Sequence, residues 1–234
     1  MTGPRSPTAD AALLKRVPHF GALPAVELGR LAARCSSRTL RRGEVLFEEG
    51  QPCRGLFIIV EGSVEVRQTS LRGREQVFHA EGPGATLGEA PLFDRGGYIA
   101  SAVALEPGRV LLLPRADLLD LCRRRPPVAL SMLEAMARRV RGFAGIVSDL
   151  AFRPVPERLA RYLDAAAGTP PVAAGTELPL ELTQTQLAAR LGTVRELVAR
   201  AFSQLAASGV IARKRGRVVI RDPARLAALA RGEP

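Results

Sequence analysis

Three charged side chains at helical spacing are the first residues in this sequence that could do chemistry. Arg195, Glu196 and Arg200 fall within one helix-forming segment near the C-terminal end of the chain. An arginine can donate two hydrogen bonds to guanine O6 and N7, and a glutamate can accept one from cytosine N4. The spacing favours a surface that reads DNA bases, and the alternative is an ordinary solvated helix face.

Two short helices joined by a tight turn would position this charged face. Thr183 with Gln186, and Thr193 with Glu196, each match a capping box at a helix N-terminus. Gly192 lies between them, where a helix end favours a left-handed residue. The residues expected to face inward at helical spacing are Leu187, Leu191, Leu197, Ala201 and Leu205. The pattern predicts a helix-turn-helix.

A basic hairpin is predicted directly after these helices. β-branched residues at 210–211 and 218–220 flank a turn at Gly216, which is typical of a β-hairpin. Its basic side chains, suited to contact with phosphates, are Arg213, Lys214, Arg215 and Arg217. Residues 183–234 hold ten Arg or Lys and three acids, a net charge of +7 out of +11 for the whole chain. This asymmetry indicates an anionic partner, most simply nucleic acid.

Several classes of protein are not expected from the composition. The 234 residues suffice for one large or two small domains, and no stretch reaches the length of a membrane span. The three cysteines, Cys35, Cys53 and Cys122, are too scattered for a metal motif or a disulfide framework. No signal peptide opens the chain, so we expect a reduced, cytoplasmic protein without a metal site. Only two histidines are present and no catalytic grouping is visible, so an enzyme is not expected.

Short β-favouring runs separated by glycines occupy residues 38–114. Frequent turns between short strands indicate an all-β barrel or roll. A long helix is then expected over 126–151, starting at Pro126 and Pro127. Its apolar residues interleave at spacings of three and four, as in a two-helix coiled coil, and they are Leu133, Met136, Val140, Phe143, Val147 and Leu150. The alternative is a helix that packs on its own domain.

Residues 183–220 resemble the winged helix-turn-helix of the cyclic-AMP receptor and FNR (CRP/FNR) superfamily of bacterial transcription regulators. The runs 43–50 and 60–66 are similar to its cyclic-nucleotide-binding β-roll. The resemblance spans about 15–222 and implies an α+β fold with an N-terminal cyclic-nucleotide-binding-type β-roll, a long dimerisation helix and a C-terminal winged helix-turn-helix. The implied divisions are a flexible tail at 1–14, a sensor roll at 15–125, a dimerisation helix at 126–151, a hinge at 152–156 and a DNA-binding domain at 157–234.

This resemblance also implies a set of DNA contacts. The Arg195-Glu196-x-x-x-Arg200 arrangement looks like the base-reading triplet of the cyclic-AMP receptor branch. The implied DNA-binding residues are Thr183, Gln184, Thr193, Val194, Arg195, Glu196, Arg200, Arg213, Lys214, Arg215 and Arg217. Val194 stands where the family commonly has Ser or Thr, so a phosphate contact is expected to be lost. The implied partners are double-stranded DNA, a second copy of the chain and RNA polymerase, without a membrane.

The run 88–93 resembles the phosphate-binding cassette of the same family, in which the Glu accepts a hydrogen bond from the ribose. The implied effector-binding residues are Gly88, Glu89, Ala90, Arg95, Ile99, Ala100, Phe143 and Ala144. Ile99 and Ala100 replace the phosphate-binding Arg-Ser pair, and Phe143 and Ala144 replace the Thr-Ser pair that touches adenine. A missing charge-assisted pair costs about 1.5–3 kcal/mol, so weak binding of cyclic AMP is expected. Arg95 is either a substitute cation or a solvated loop residue.

Other sensor chemistries stay open at this stage. Some members of the family bind haem in the roll, and here His79 or His19 could ligate it, with Cys53 nearby; the alternative for His79 is an ordinary strand residue. An iron–sulfur cluster needs about four cysteines and is not expected. An apolar effector, or none, fits equally well. The sequence thus predicts a dimeric DNA-binding regulator, and the alternative is a cyclic-nucleotide or haem sensor module of this family with a different signal or an output other than DNA.

Overall fold

The computed structural model describes residues 7–168, 172–180 and 182–233, with the side chains of residues 7–9 left undescribed. The chain divides into two compact units. The N-terminal unit comprises the chain up to residue 68 together with 78–143, and the C-terminal unit comprises 69–77 together with 144–234. The predicted boundaries at 125/126 and 156/157 therefore differ from this division, because the long helix is shared by both units.

Two four-stranded sheets form the roll, which belongs to the N-terminal unit apart from residues 69–77. Its strands are β1 (Ser36–Leu40), β2 (Val45–Phe47), β3 (Gly55–Glu61), β4 (Val64–Thr69), β5 (Glu75–Glu81), β6 (Thr86–Leu87), β7 (Ser101–Ala104) and β8 (Gly108–Pro114). The sheet orders are β1-β8-β3-β6 and β2-β7-β4-β5. The first six residues of β3 are all buried, as expected for a strand covered on both faces. The predicted β-roll is confirmed.

Five helices begin in this unit. They are α1 (Pro7–Leu14), α2 (Ala25–Arg34), α3 (Glu89–Asp94), α4 (Arg115–Arg124) and α5 (Pro126–Phe152). The predicted flexible tail is wrong for residues 7–14, because they form α1. Leu14 is fully buried, and the buried Asp10 accepts a 2.9 Å hydrogen bond from Arg109. Residues 1–6 lie outside the described part of the chain.

In its described residues, the C-terminal unit contains a small sheet, four helices of its own and the end of α5. Its further elements are α6 (Val155–Ala167), β9 (Glu177–Pro179), α7 (Gln184–Leu191), α8 (Arg195–Ala207), β10 (Ile211–Lys214), β11 (Arg217–Ile220) and α9 (Pro223–Arg231). The sheet order is β10-β11-β9, and both pairs are antiparallel. Buried side chains from α6, α7, α8 and the sheet form one core, which includes the fully buried Phe202. None of the described helices has the length and apolar character that crossing a membrane requires.

Candidate nucleic-acid interface and cavity

The first helix of the helix-turn-helix is capped as the sequence predicts. Thr183 Oγ1 accepts a hydrogen bond from Gln186 N at 3.2 Å, and Thr183 N donates to Gln186 Oε1 at 2.9 Å. These reciprocal bonds satisfy two backbone donors at the start of α7. Gly192 ends α7 with φ 64° and ψ 45°, the left-handed conformation expected there.

The second predicted capping box is wrong. The N-cap of α8 is Val194, which has no side-chain oxygen, and no side chain caps this helix. Thr193 N instead donates to Ala188 O at 2.9 Å and closes the end of α7. Thr193 therefore belongs to the turn after α7, and α8 starts one residue too late for its hydroxyl and Glu196 to form the box.

Arg158 of α6 holds this turn in place. Its Nη1 donates to the carbonyl oxygens of Leu191 and Gly192 at the C-terminal end of α7. A cation is favourable there because the helix dipole is negative at that end. Burial lowers the pKa of Arg158, with a smaller opposing effect from Asp149.

The start of α8 presents the predicted triplet to solvent. Arg195, Glu196 and Arg200 are exposed, and within the described ranges none of them forms an ion pair or side-chain hydrogen bond. The buried side of α8 consists of Val198, Ala201, Phe202 and Leu205. Leu197 is not part of this core, contrary to the prediction, because it is 40% exposed; Val194 is 38% exposed. The outward face thus combines three free charged groups with two apolar ones.

The predicted basic hairpin is confirmed, although its cations are not equivalent. Lys214 pairs with Arg217 across β10 and β11, which leaves Arg215 and Gly216 as a two-residue turn. Lys214 Nζ lies 2.5 Å from Glu177 Oε1, and Arg217 Nη1 lies 3.0 Å from Glu177 Oε2. Arg213 places its Cζ 5.1 Å from the centroid of the Phe202 ring. Among the described residues of the hairpin, Arg215 is the cation without a partner.

A mainly apolar cavity of about 310 Å³ lies within the N-terminal unit. Its lining consists of Phe47, Val66, Phe78, His79, Leu87, Gly88, Glu89, Ala90, Pro91, Tyr98, Ile99, Ala100, Met136, Arg139, Val140 and Phe143. Phe78 and Phe143 meet edge to face with centroids 5.3 Å apart, and Phe47 stacks on Tyr98 at 3.9 Å. Apart from one ion pair and one histidine, the lining offers carbon atoms and few polar groups to a ligand.

The ion pair joins α3 to α5. Glu89 is buried, accepts from Thr86 Oγ1 at 2.5 Å, and contacts Arg139 Nη1. Arg139 Nη2 donates to Thr86 O at 2.7 Å. The Glu89 carboxylate, which the sequence assigned to a ribose, is thus already paired within the chain. Sequence reasoning missed Arg139, although its spacing of four residues from Phe143 places both on one helix face.

The other implied effector residues divide into two groups. Gly88, Ala90, Ile99, Ala100 and Phe143 line the cavity with Glu89. Arg95 is exposed at the end of α3, with φ 62°, and Ala144 is exposed on α5; neither lines this cavity. Arg95 as a substitute phosphate ligand is therefore not supported, because α3 ends in a left-handed residue that lies away from the cavity wall.

The two histidines differ in what they can bind. His19 is buried, with Nδ1 3.1 Å from Ser131 Oγ and Nε2 3.2 Å from Thr86 Oγ1. Burial lowers the pKa of His19, so the neutral ring is favoured. Both ring nitrogens of His19 are hydrogen-bonded, and neither His19 nor Cys53 lines the cavity. His79 does line the cavity, and its Nδ1 lies 3.3 Å from Glu81 Oε1. Of the three haem ligands considered, only His79 borders the cavity.

The exposed apolar stripe of α5 shares Leu133, Val140 and Val147 with the predicted seam and differs from it at the positions between them. Leu130 and Leu133 are each 60% exposed, and Val140 and Val147 are each 65% exposed. The exposed apolar positions repeat at alternating spacings of three and four, and they are Leu130, Leu133, Ala137, Val140, Ala144, Val147 and Ala151. Met136 and Phe143 were predicted to lie in the seam, but they are partly buried and line the cavity. Leu150 lies off the stripe and lines a small groove of the C-terminal unit.

Two family models match this chain. The cyclic nucleotide-binding domain matches residues 37–125, and the Crp-like helix-turn-helix domain matches residues 157–229. A CRP-like cAMP-activated global transcriptional regulator of Mycobacterium tuberculosis is 33% identical over 192 residues, 81% of this chain and 86% of the relative. The cyclic AMP receptor protein of Thermus thermophilus is 32% identical over 219 residues, 94% of this chain and 99% of the relative.

A solved structure agrees with these relatives. The crystal structure of the Thermus thermophilus catabolite activator protein matches with a TM-score of 0.53 and 32% identity, and the match covers 93% of this chain and 100% of that one. The chain belongs to the CRP/FNR superfamily of transcription regulators. Members of this family bind DNA through the helix-turn-helix and act as dimers, and they are not enzymes.

Proposed function

We propose that this protein is a homodimeric transcription regulator that binds a two-fold symmetric DNA site and responds to a ligand held in the cavity of the N-terminal unit. One observation carries the DNA-binding part: Arg195, Glu196 and Arg200 stand exposed at the start of α8 without partners among the described residues. In a helix-turn-helix, the first residues of the second helix meet base edges in the major groove. RNA polymerase, implied by the family resemblance, is the protein partner in this proposal.

The proposed half-site resembles the TGTGA-type element of the cyclic-AMP receptor branch. Arg195 would read a guanine, Glu196 a cytosine on the opposite strand, and Arg200 a second guanine or the neighbouring thymine. Arg215, at the tip of the hairpin, would contact only phosphate. Thr183, Gln184 and Thr193 stay proposed backbone contacts, but the capping box already uses the Thr183 hydroxyl.

Two substitutions test whether Arg195 reads a base and Arg215 contacts only phosphate. Arg195→Ala should cost about 1–3 kcal/mol on a palindrome of two such half-sites and relax the choice at one base pair. Arg215→Ala should weaken binding to every sequence alike and lower the salt slope by about one. Fluorescence anisotropy over a salt series measures both quantities. If Arg195→Ala weakened random duplexes as much as the palindrome, the triplet would not be the reading face.

The exposed stripe of α5 supports the proposed dimer. Seven apolar positions at heptad spacing, four of them Leu or Val, would be covered by the same stripe of a second copy. A dimer is also what the proposed site requires, because two reading helices must meet half-sites about 34 Å apart.

For the ligand, we propose an uncharged and mainly apolar molecule. Relatives named for cyclic AMP share about a third of their residues with this chain. In this chain, however, Ile99 and Ala100 line the cavity as apolar groups, and Arg139, its lining cation, is paired with Glu89. A cyclic phosphate would therefore be buried without a free cation, which is costly.

Calorimetric titration with cyclic AMP tests this proposal. The parent protein should bind weakly or not at all, and the variant carrying Ile99→Arg and Ala100→Ser should bind more tightly because it regains a cation and a hydroxyl. Micromolar or tighter binding by the parent would contradict the proposal. A Soret band in the purified protein would instead favour haem, with His79 as the ligand that borders the cavity.

A further inference from the structure

An acidic side chain lies against the basic hairpin of the C-terminal unit. Glu177 belongs to β9, which pairs with β11 so that Glu177 stands opposite Val219. One carboxylate oxygen lies 2.5 Å from Lys214 Nζ and the other lies 3.0 Å from Arg217 Nη1. A single carboxylate thus bridges two of the four cations that the sequence assigned to phosphate contact.

The two ion pairs are close but remain accessible to solvent. The side chains of Lys214 and Arg217 are more than half exposed, and that of Glu177 is about one third exposed. Hydrogen bonds from Lys214 and then Arg217 hold the pKa of Glu177 below its ordinary value, so the carboxylate is charged at neutral pH. Exposed ion pairs contribute little to stability, and another anion can therefore displace such a carboxylate.

We propose that Glu177 competes with DNA phosphates for Lys214 and Arg217 and so limits the sequence-independent part of DNA binding. This inference rests on the proposed function. A cation that neutralises a phosphate gains affinity by releasing counterions. A cation already paired with a carboxylate holds fewer counterions, and it must break that pair before it binds a phosphate. Lys214 and Arg217 then contribute less than an unpaired arginine would.

The described residues of the same hairpin include an unpaired arginine with which Lys214 and Arg217 can be compared. Arg215 occupies the turn between Lys214 and Arg217 and has no ion-pair partner among the described residues. Arg215 is therefore expected to contribute a full phosphate contact, and its neighbours only part of one. Because phosphate binding is weaker at two positions, a larger share of the free energy of binding to the specific site comes from the α8 triplet, while the ratio of specific to random affinity is unchanged.

The test compares Glu177→Gln with the parent full-length protein on two duplexes of equal length, a TGTGA-type palindrome and a random sequence. Glutamine keeps the size of the side chain and removes its charge. Affinity for both duplexes should rise by about threefold to tenfold, and the salt slope should steepen by about one to two. The ratio of the two affinities should stay unchanged. Asp120→Asn is the matched control, because it removes the acid of another exposed ion pair, with Arg124, in the N-terminal unit; it should change neither quantity.

A second readout keeps Glu177 in place, in case Glu177→Gln disturbs the fold. Lys214→Met should lower the salt slope by clearly less than Arg215→Ala does, which is about one. Unchanged or weaker binding by a folded Glu177→Gln protein would overturn the inference, as would equal slopes for Lys214→Met and Arg215→Ala. A parent protein that binds neither duplex would overturn the proposed function as well. If the parent binds DNA and Glu177→Gln binds equally well, only the inference about Glu177 is overturned.

Discussion

Glu89 and Arg139 set the polarity of the cavity at the scale of single residues. Glu89 is almost completely buried, and the positive charge that compensates it is the guanidinium of Arg139. Because the pair is internally neutral, it offers no net charge to an anionic ligand. A ligand that bound through either group would first have to break this pair.

This pairing predicts a large penalty when one partner is removed. Arg139→Met should destabilise the N-terminal unit by about 3–5 kcal/mol, because it leaves the buried carboxylate without a counter-charge. Combining it with Glu89→Leu should recover most of the loss, since no charge then stays buried. Urea denaturation of Arg139→Met, Glu89→Leu and the double variant measures the coupling. A loss below about 0.5 kcal/mol for Arg139→Met alone would show that the pair is not structural.

Local chemistry in the sequence predicted the α8 triplet but not Arg139. Arg195, Glu196 and Arg200 lie within the first two turns of α8, so their spacing alone indicated a shared face. Arg139 acquires its role from Glu89, which lies 50 positions earlier in the chain. Only the folded chain brings the two side chains together.

At the scale of elements, the caps of α7 and α8 make a matched comparison. Thr183→Ala should destabilise the C-terminal unit by about 1 kcal/mol, because it removes the capping box of α7. Thr193→Ala should have little effect, because this side chain caps no helix. Val194→Ser should stabilise the unit by about 1 kcal/mol by giving α8 a cap. Thermal unfolding measures all three, and equal losses for Thr183→Ala and Thr193→Ala would contradict these assignments.

The stripe of α5 gives a prediction for association. Leu133→Asp with Val147→Asp should convert the dimer into a folded monomer, because both positions are exposed within one chain, neither lines the cavity, and the change would bring four charges together in the seam. Arg138→Asp, on the same helix but off the stripe, should stay dimeric. Sedimentation velocity measures the state of each variant. A double variant that sedimented as a dimer would exclude α5 as the interface.

The apolar pattern of α5 does not by itself identify which face of the helix is left exposed. Two apolar series run along α5, and the sequence favoured the one with the larger side chains, including Met136 and Phe143. Those two residues are partly buried and line the cavity, which Val140 also borders, whereas the exposed series includes the less conspicuous Ala137 and Ala144. Hydrophobicity alone cannot separate a face that covers a cavity from one that is left for a partner.

At the scale of the whole molecule, the order of the parts was predictable because the apolar residues of each part repeat at a different spacing in the sequence. Glycine-punctuated strands, a long helix and two short helices joined at Gly192 follow one another along the chain. The flexible tail predicted for 1–14 was wrong for 7–14, because the sequence does not show the distant contact made by α1. Asp10 accepts a hydrogen bond from Arg109, 99 positions away, and local helix propensity gives no indication of this partner.

The central claim is that α8 reads a symmetric DNA sequence through Arg195, Glu196 and Arg200. The most direct measurement is selection of binding sites from a pool of random duplexes, with the parent and Arg195→Ala in parallel. The parent should enrich a palindrome with half-sites about one helical turn apart, ~34 Å, and Arg195→Ala should lose its preference at one base pair of each half-site. If no palindrome were enriched, or if both proteins kept the same preference at every position, the account would be contradicted.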